Sequence, residues 1–257
     1  MSILIKQELF KMYKKKSSII FPIIIVIFMI LFAYLSKQYS DIFNSEIQFK
    51  TGFSGITWLA FLMIVQASTI ITMEFAYGTI KNLLYRKYSR TQIIISKFAA
   101  LFIYSFILFI GVCLISFLLK FIFLGSLDIT SSSGDKMSLI QELALNAVGN
   151  YIGLWLILSI TLLLSCIMKS PSLSIALGII LYFALSIISG ILFMLIDKWT
   201  WLKWNPINML NISPQLLDHE SLSKLTHLTN TELFIGNLIY IVLFLVLVSI
   251  VFKKKNV

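Results

Sequence analysis

Charge is scarce in this chain of 257 residues: only 12% of its side chains are Asp, Glu, Lys or Arg, while 59% are hydrophobic. A soluble domain of this length carries about twice that charged share, and core burial does not explain the excess, because a small globular protein still needs a polar surface. The mean hydropathy of +0.95 excludes a soluble fold and leaves an integral membrane protein of one domain. Cysteine is almost absent. Cys113 and Cys166 both fall in apolar runs and read as small buried hydrophobes, so neither a disulfide framework nor a cysteine metal site is expected. Histidine occurs twice, at His219 and His227 beside Asp218 and Glu220, with a spacing that fits no common metal motif. No nucleophile–His–acid set lies at membrane depth, and a hydrolase is disfavoured. Nor does Gly-x-x-x-x-Gly-Lys-Ser/Thr occur anywhere, so the chain has no phosphate-cradling loop of its own.

What is abundant is long apolar sequence. Crossing the hydrocarbon takes about 20 apolar residues, and six runs qualify: roughly 18–35, 53–73, 98–119, 145–168, 173–196 and 234–252. The fold class expected is an all-α membrane protein with six transmembrane helices. The first run is too long for a signal-peptide core and no small-residue cleavage site follows it, so it is expected to stay as a span. Six spans put both termini on one side, and the basic residues choose that side. Fourteen of the 21 Lys and Arg fall in the amino-terminal segment, the loop after span two, the turn after span four and the carboxyl end, while nine of the 11 acidic residues fall opposite. That asymmetry assigns the basic side, termini included, to the cytoplasm of a multi-pass cell-membrane protein. It also explains the net charge of +10 without nucleic acid.

Two elements on the basic side stand out. Residues 1–16 place Ile5, Leu9, Met12 and Tyr13 on one helical face with Lys6, Gln7, Lys11 and Lys14 opposite. This is the pattern of an amphipathic elbow helix in the headgroup plane, either a simple anchor or a contact for a cytoplasmic partner through Lys6, Leu9, Phe10 and Tyr13. After span two, Gly78 permits a backbone break and Thr79 is a suitable N-cap. Ile80, Leu83, Leu84 and Tyr88 then repeat at helical spacing, with Lys81, Asn82, Arg86 and Lys87 facing away. Ser89 and Gln92 make a capping box that starts the next helix. The reading is a short, stiff helix over 79–88 tied to both neighbouring spans. Glu74 closes span two, where an ionised carboxylate is costly unless paired; Lys81, Arg86 and Lys97 are within reach, and simple exposure is the alternative.

At these residues the chain resembles the ABC-2 type exporter permeases. Glu74-x-x-x-Gly78-Thr79-Ile80-Lys81-x-Leu83-Leu84, followed by Ser89-Arg90, is similar to that family's signature between its second and third spans. The basic elbow, the Lys169-Ser170-Pro171 turn and the Asn205-Pro206 segment match the family's layout. Tyr88 stands where the family often has proline. The resemblance implies a half-transporter whose 79–88 helix is the coupling helix, seated on a separate ATP-binding subunit that binds ATP and Mg, with the elbow helix beside it. It implies a second permease copy, identical or related. The layout is similar to permeases that export phenol-soluble modulins or antimicrobial peptides.

Outside the basic face, 197–232 is the longest loop, and Trp199, Trp201 and Trp204 with Lys198 and Lys203 read as an interfacial belt. In the resembled family this region forms short helices against the outer leaflet. Lys120 is expected to snorkel to the headgroups. Gly149 and Gly153 allow close helix approach, within one chain or between two. Gln66, Thr69 and Thr72 give span two a mildly polar stripe that either lines a pathway or makes ordinary helix contacts. A pathway without charge suits greasy or amphipathic cargo, and a channel or secondary carrier independent of ATP is the competing class, one that would need buried ion-coupling groups.

Overall fold

The computed structural model describes residues 1–79, 88–130, 137–168 and 170–255. The regular structure of these residues is all helix, and six helices are long and apolar enough to cross a membrane. Helix α1 (Ser2–Lys14) precedes the first span, α2 (Lys16–Gln38). The short α3 (Ser45–Lys50) leads into α4 (Gly55–Ala76), and α5 (Arg90–Phe123), α6 (Leu139–Ile167) and α7 (Pro171–Lys198) follow. A 3-10 turn (Thr200–Trp204), α8 (Pro206–Met209), α9 (Ile212–Leu217) and α10 (His219–Thr226) separate α7 from the last span, α11 (Asn230–Lys254). The protein is a multi-pass membrane protein.

The six spans are not equivalent. α4 and α6 are enclosed over 67% and 61% of their apolar stretches, against 17–28% for α2, α5, α7 and α11. The inner pair therefore carries the packing, and the outer four present Ile, Leu, Phe and Val to lipid. Local chemistry fixes the helix starts. Ser89–Gln92, Ser138–Gln141 and Thr229–Glu232 are reciprocal capping boxes at the heads of α5, α6 and α11, each satisfying backbone N–H groups that a helix start leaves unpaired. Pro171 opens α7 behind a Ser170 cap. Pro22 lies inside α2 and cannot donate to the carbonyl of Ser18 four residues back. That carbonyl instead accepts from the Tyr104 hydroxyl of α5 at 3.1 Å, so a proline defect becomes an interhelix contact.

At the end away from the chain termini, the segment between α7 and α11 folds back onto the bundle. Asn146 of α6 donates to the Lys50 carbonyl at 2.7 Å and accepts from Ser213 Oγ at 2.9 Å. Asn150 donates to Ser213 at 2.7 Å. These two asparagines thus hold α3, α6 and α9 together. Gly149 permits this: a Cβ there would lie 2.5 Å from the Ser213 Cα. Asn237 of α11 donates to the Met209 carbonyl at 2.7 Å, and Tyr240 to that of Trp204 at 2.6 Å. The expected loop over 197–232 is helical and hydrogen-bonded to both neighbours, while Trp199, Trp201 and Trp204 stay exposed.

Candidate functional site

The opposite end, called the base here, collects the charge. Among the described residues, four charged side chains are buried: Glu8, Glu74, Lys97 and Lys120. Three of them meet at one point. Lys97 Nζ, 1% exposed, lies 2.8 Å from Glu8 Oε2 and 3.1 Å from Glu74 Oε1. Lys11 Nζ lies 2.8 Å from Glu8 Oε1 and 2.7 Å from the same Glu74 oxygen. Two lysines and two glutamates form a closed, neutral set across α1, α4 and α5. The Thr79 hydroxyl donates to the other Glu74 oxygen at 2.6 Å and so ties the first residue after Gly78 to the same carboxylate. Burial alone would lower the Lys11 pKa, but the carboxylates of Glu74 and Glu8 outweigh it and hold it above its ordinary value.

A second polar group lies beside the first. Lys15 Nζ donates to Thr69 Oγ1 at 2.6 Å and to Gln66 Oε1 at 3.3 Å. The Gln66 amide donates to Ser18 Oγ at 2.9 Å, and Thr72 bonds its own helix at Ser68. The three residues read as a possible pathway stripe are buried, and Gln66 and Thr69 bond to the α1–α2 joint as well as, for Thr69, to its own helix at Val65.

A third set closes the base on the other side. Arg90, last residue of the signature, donates through Nη1 to the carbonyls of Lys253 and Lys255, both at 2.7 Å. Lys255 Nζ reaches the Cys166 carbonyl at 2.7 Å and that of Met168 at 3.1 Å, and lies 4.3 Å from the centre of the Phe75 ring. Burial pushes its pKa down. A lysine on the free carbonyls of a helix end also meets the negative pole of the helix. Lys255→Met is expected to cost about 1–2 kcal/mol, read as a lowered melting temperature in detergent.

The structure brings together Glu74, Thr79 and, from the elbow, Lys11, while Gly78 adopts the left-handed φ of +66° expected of a backbone break. Ser89 makes its capping box and Arg90 its carbonyl clamp. Ile80, Lys81, Leu83, Leu84 and Arg86 lie outside the described residues. In α1 the buried residues are Leu4, Glu8 and Met12, a face turned by roughly one residue spacing from the expected Ile5, Leu9, Met12 and Tyr13 stripe. The reason is that α1 packs on protein through an acid seeking Lys97. Lys6, Phe10 and Tyr13 face outward, and Leu9 is half-buried. Lys97 was among the partners expected for Glu74. Glu8 and Lys11 lie outside the expected set; an acid spaced four residues from both Leu4 and Met12 on one helical stripe is the signal for Glu8, while nothing in the sequence separates Lys11 from its basic neighbours. Lys120 is 6% exposed, with Nζ 4.8 Å from the centre of the Phe121 ring. At the far end His227 Nε2 lies 2.9 Å from Asp197, and both cysteines are free.

A bundle of six apolar helices with a buried charge junction at the base of its second and third spans defines a polytopic membrane protein. Residues 4–186 match the family described as "ABC-2 family transporter protein", and the chain belongs to that family. It is similar to two proteins of Bacillus subtilis. One is the uncharacterized protein YhcI, 25% identical over 203 residues, 76% of this chain and 63% of that protein. The other is the uncharacterized membrane protein YdbK, 25% identical over 194 residues, 74% of this chain and 77% of that protein. The matched region spans less than two thirds of YhcI.

Proposed function

We propose that the chain is the permease subunit of an ATP-driven exporter, powered by a separate ATP-binding subunit and paired with a second permease. The observation that carries this reading is the junction of Glu8, Lys11, Glu74 and Lys97. It fastens α1, the base of α4 and the base of α5 to one another on either side of residues 80–87. A push delivered to the loop between α4 and α5 therefore moves three helices and is not absorbed by side-chain adjustment. In this reading the base faces the cytoplasm, 79–88 is the coupling helix, and the outward face of α1 with Lys6, Phe10 and Tyr13 leans on the partner. ATP and Mg belong to that partner, whose closure draws two coupling helices together and opens the permease pair outward.

The composition of the spans supports a reading of the cargo class. An ion-coupled carrier needs a buried acid free to bind and release its ion. Among the described residues the buried acids are Glu8 and Glu74, and each is already shared by two lysines. Amphipathic peptides, exported as toxins or modulins or as a defence against antimicrobial peptides, fit walls without charge. The test is isolation of the tagged chain co-expressed with an ATP-binding protein encoded beside it. Near-stoichiometric recovery is expected, reduced about tenfold or more when Phe10 and Tyr13 are both replaced by Asp, since buried apolar anchors dominate interface energy. A preparation of this chain alone that transports without ATP would overturn the proposal.

A further inference from the structure

Between α1 and α4 the base holds a groove of about 290 Å³, lined by Met12, Ile70, Met73 and Tyr77 together with Lys15 and the junction's Glu8, Lys11 and Glu74. Counted with Lys97, which pairs with both of those carboxylates, the charges here leave one positive charge over. Glu8 and Glu74 are matched by Lys11 and Lys97, and those four cancel. Lys15 stands outside that set, because its partners Thr69 and Gln66 are both neutral. Thr69 donates its own hydroxyl hydrogen to the Val65 carbonyl at 2.8 Å, so toward Lys15 its oxygen is fixed as an acceptor. Thr69 and Gln66 are themselves buried, which locks the ammonium in place. An ammonium has three donors; two are spent here and one is left beside the groove. Burial lowers the Lys15 pKa, the mark of a cation that lacks a counter-charge.

The surroundings say what would supply that charge. A small anion would use Lys15 and leave Met12, Ile70 and Met73 unsatisfied. An amphiphile with one negative group uses both. The groove also sits where such molecules lie. The first span begins at the very next residue, Lys16, which puts Lys15 at the depth of the headgroup layer. We infer that the groove between α1 and α4 binds one anionic phospholipid, its phosphate on Lys15 and the head of its acyl chain on Met12, Ile70 and Met73. The lipid joins the elbow helix to span two beside the charge junction, making that joint sensitive to the anionic lipid content of the membrane.

The inference requires only that the chain lie in a membrane, and its test involves no ATPase, so its failure is separate from that of the proposed function. The full chain in detergent is titrated with phosphatidylglycerol, phosphatidylcholine or inorganic phosphate, and bound molecules are counted by native mass spectrometry. One phosphatidylglycerol per chain is expected, with little phosphatidylcholine and no displacement by phosphate. Lys15→Gln is expected to weaken binding about tenfold, the worth of one charge-assisted contact. Lys14→Gln, whose ammonium lies over Phe10 at 5.6 Å, is expected to change nothing. Met73→Trp fills the groove without altering any charge and is expected to abolish binding, which keeps the test open if Lys15→Gln fails to fold. Equal binding of phosphatidylcholine, displacement by phosphate alone, or full affinity in both groove variants overturns the inference.

Discussion

Glu74→Ala is expected to lower stability by about 3–5 kcal/mol and to remove stimulation of the partner's ATPase. The stability cost follows from electrostatics at the junction. The deleted carboxylate accepts from Lys11 at 2.7 Å, from Lys97 at 3.1 Å and from Thr79 at 2.6 Å. Without it, two lysines share one glutamate, and one of them is 1% exposed with no water to stabilise the excess charge. An uncompensated buried charge costs about that much, although the intact pair contributes far less than its Coulomb energy suggests. Charge imbalance and lost connectivity are separable. Glu74→Gln with Lys97→Met removes one charge of each sign and leaves Glu8 with Lys11, so the double variant is expected to be more stable than the sum of the two single changes predicts. The same variant no longer bridges α1 to both spans, and its ATPase stimulation is expected to stay low. Thermal melts in detergent and ATPase assays of the reconstituted complex read the two effects. Full stimulation in a folded double variant would show that force does not pass through this junction.

The layout was legible because its signals are one-dimensional. Hydrocarbon thickness sets the length of an apolar run, and the six runs reappear as α2, α4, α5, α6, α7 and α11, each longer than its apolar window because polar ends such as Arg90–Ser96 stay helical. The Ser89–Gln92 box and the Gly78 break were readable for the same reason, since caps and left-handed turns depend on neighbours in sequence. The junction was legible by half. Glu74 announces itself as an acid at the end of an apolar run, but its partners Lys11 and Lys97 lie 63 and 23 residues away. Lysines are so common on the basic face that charge alone does not select among them. The α1 register failed for a related reason. An amphipathic pattern places lipid on one side of a helix and water on the other, whereas α1 buries Glu8 against protein. The polar stripe of α4 was ambiguous because a helix wheel does not say whether Gln66 faces a path or the lysine that ends the elbow.

Gly149→Ala and Gly153→Ala, two changes of identical chemistry one turn apart, are expected to have opposite outcomes. A methyl on Gly149 would meet the Ser213 Cα at 2.5 Å and its backbone nitrogen at 3.1 Å. Backbone atoms have no rotamer to yield, so α9 must move off α6. That movement breaks the bonds from Ser213 to Asn146 and from Asn150 to Ser213. A cost of about 1–3 kcal/mol is expected for this kind of overpacking, together with faster proteolysis within 199–229. The corresponding methyl on Gly153 meets nothing nearer than Leu210 at 3.9 Å, so that change is expected to be neutral or to stabilise by up to about 1 kcal/mol through helix propensity. The contrast bears on assembly. If the two glycines formed a seam between two permease copies, both methyls would enter the same interface and both variants would lose dimer. The structure gives Gly149 a partner within its own chain, and that partner carries the polar lock on the segment leading to α11. Melting curves that shift alike for the two variants would return the pair to a role between chains.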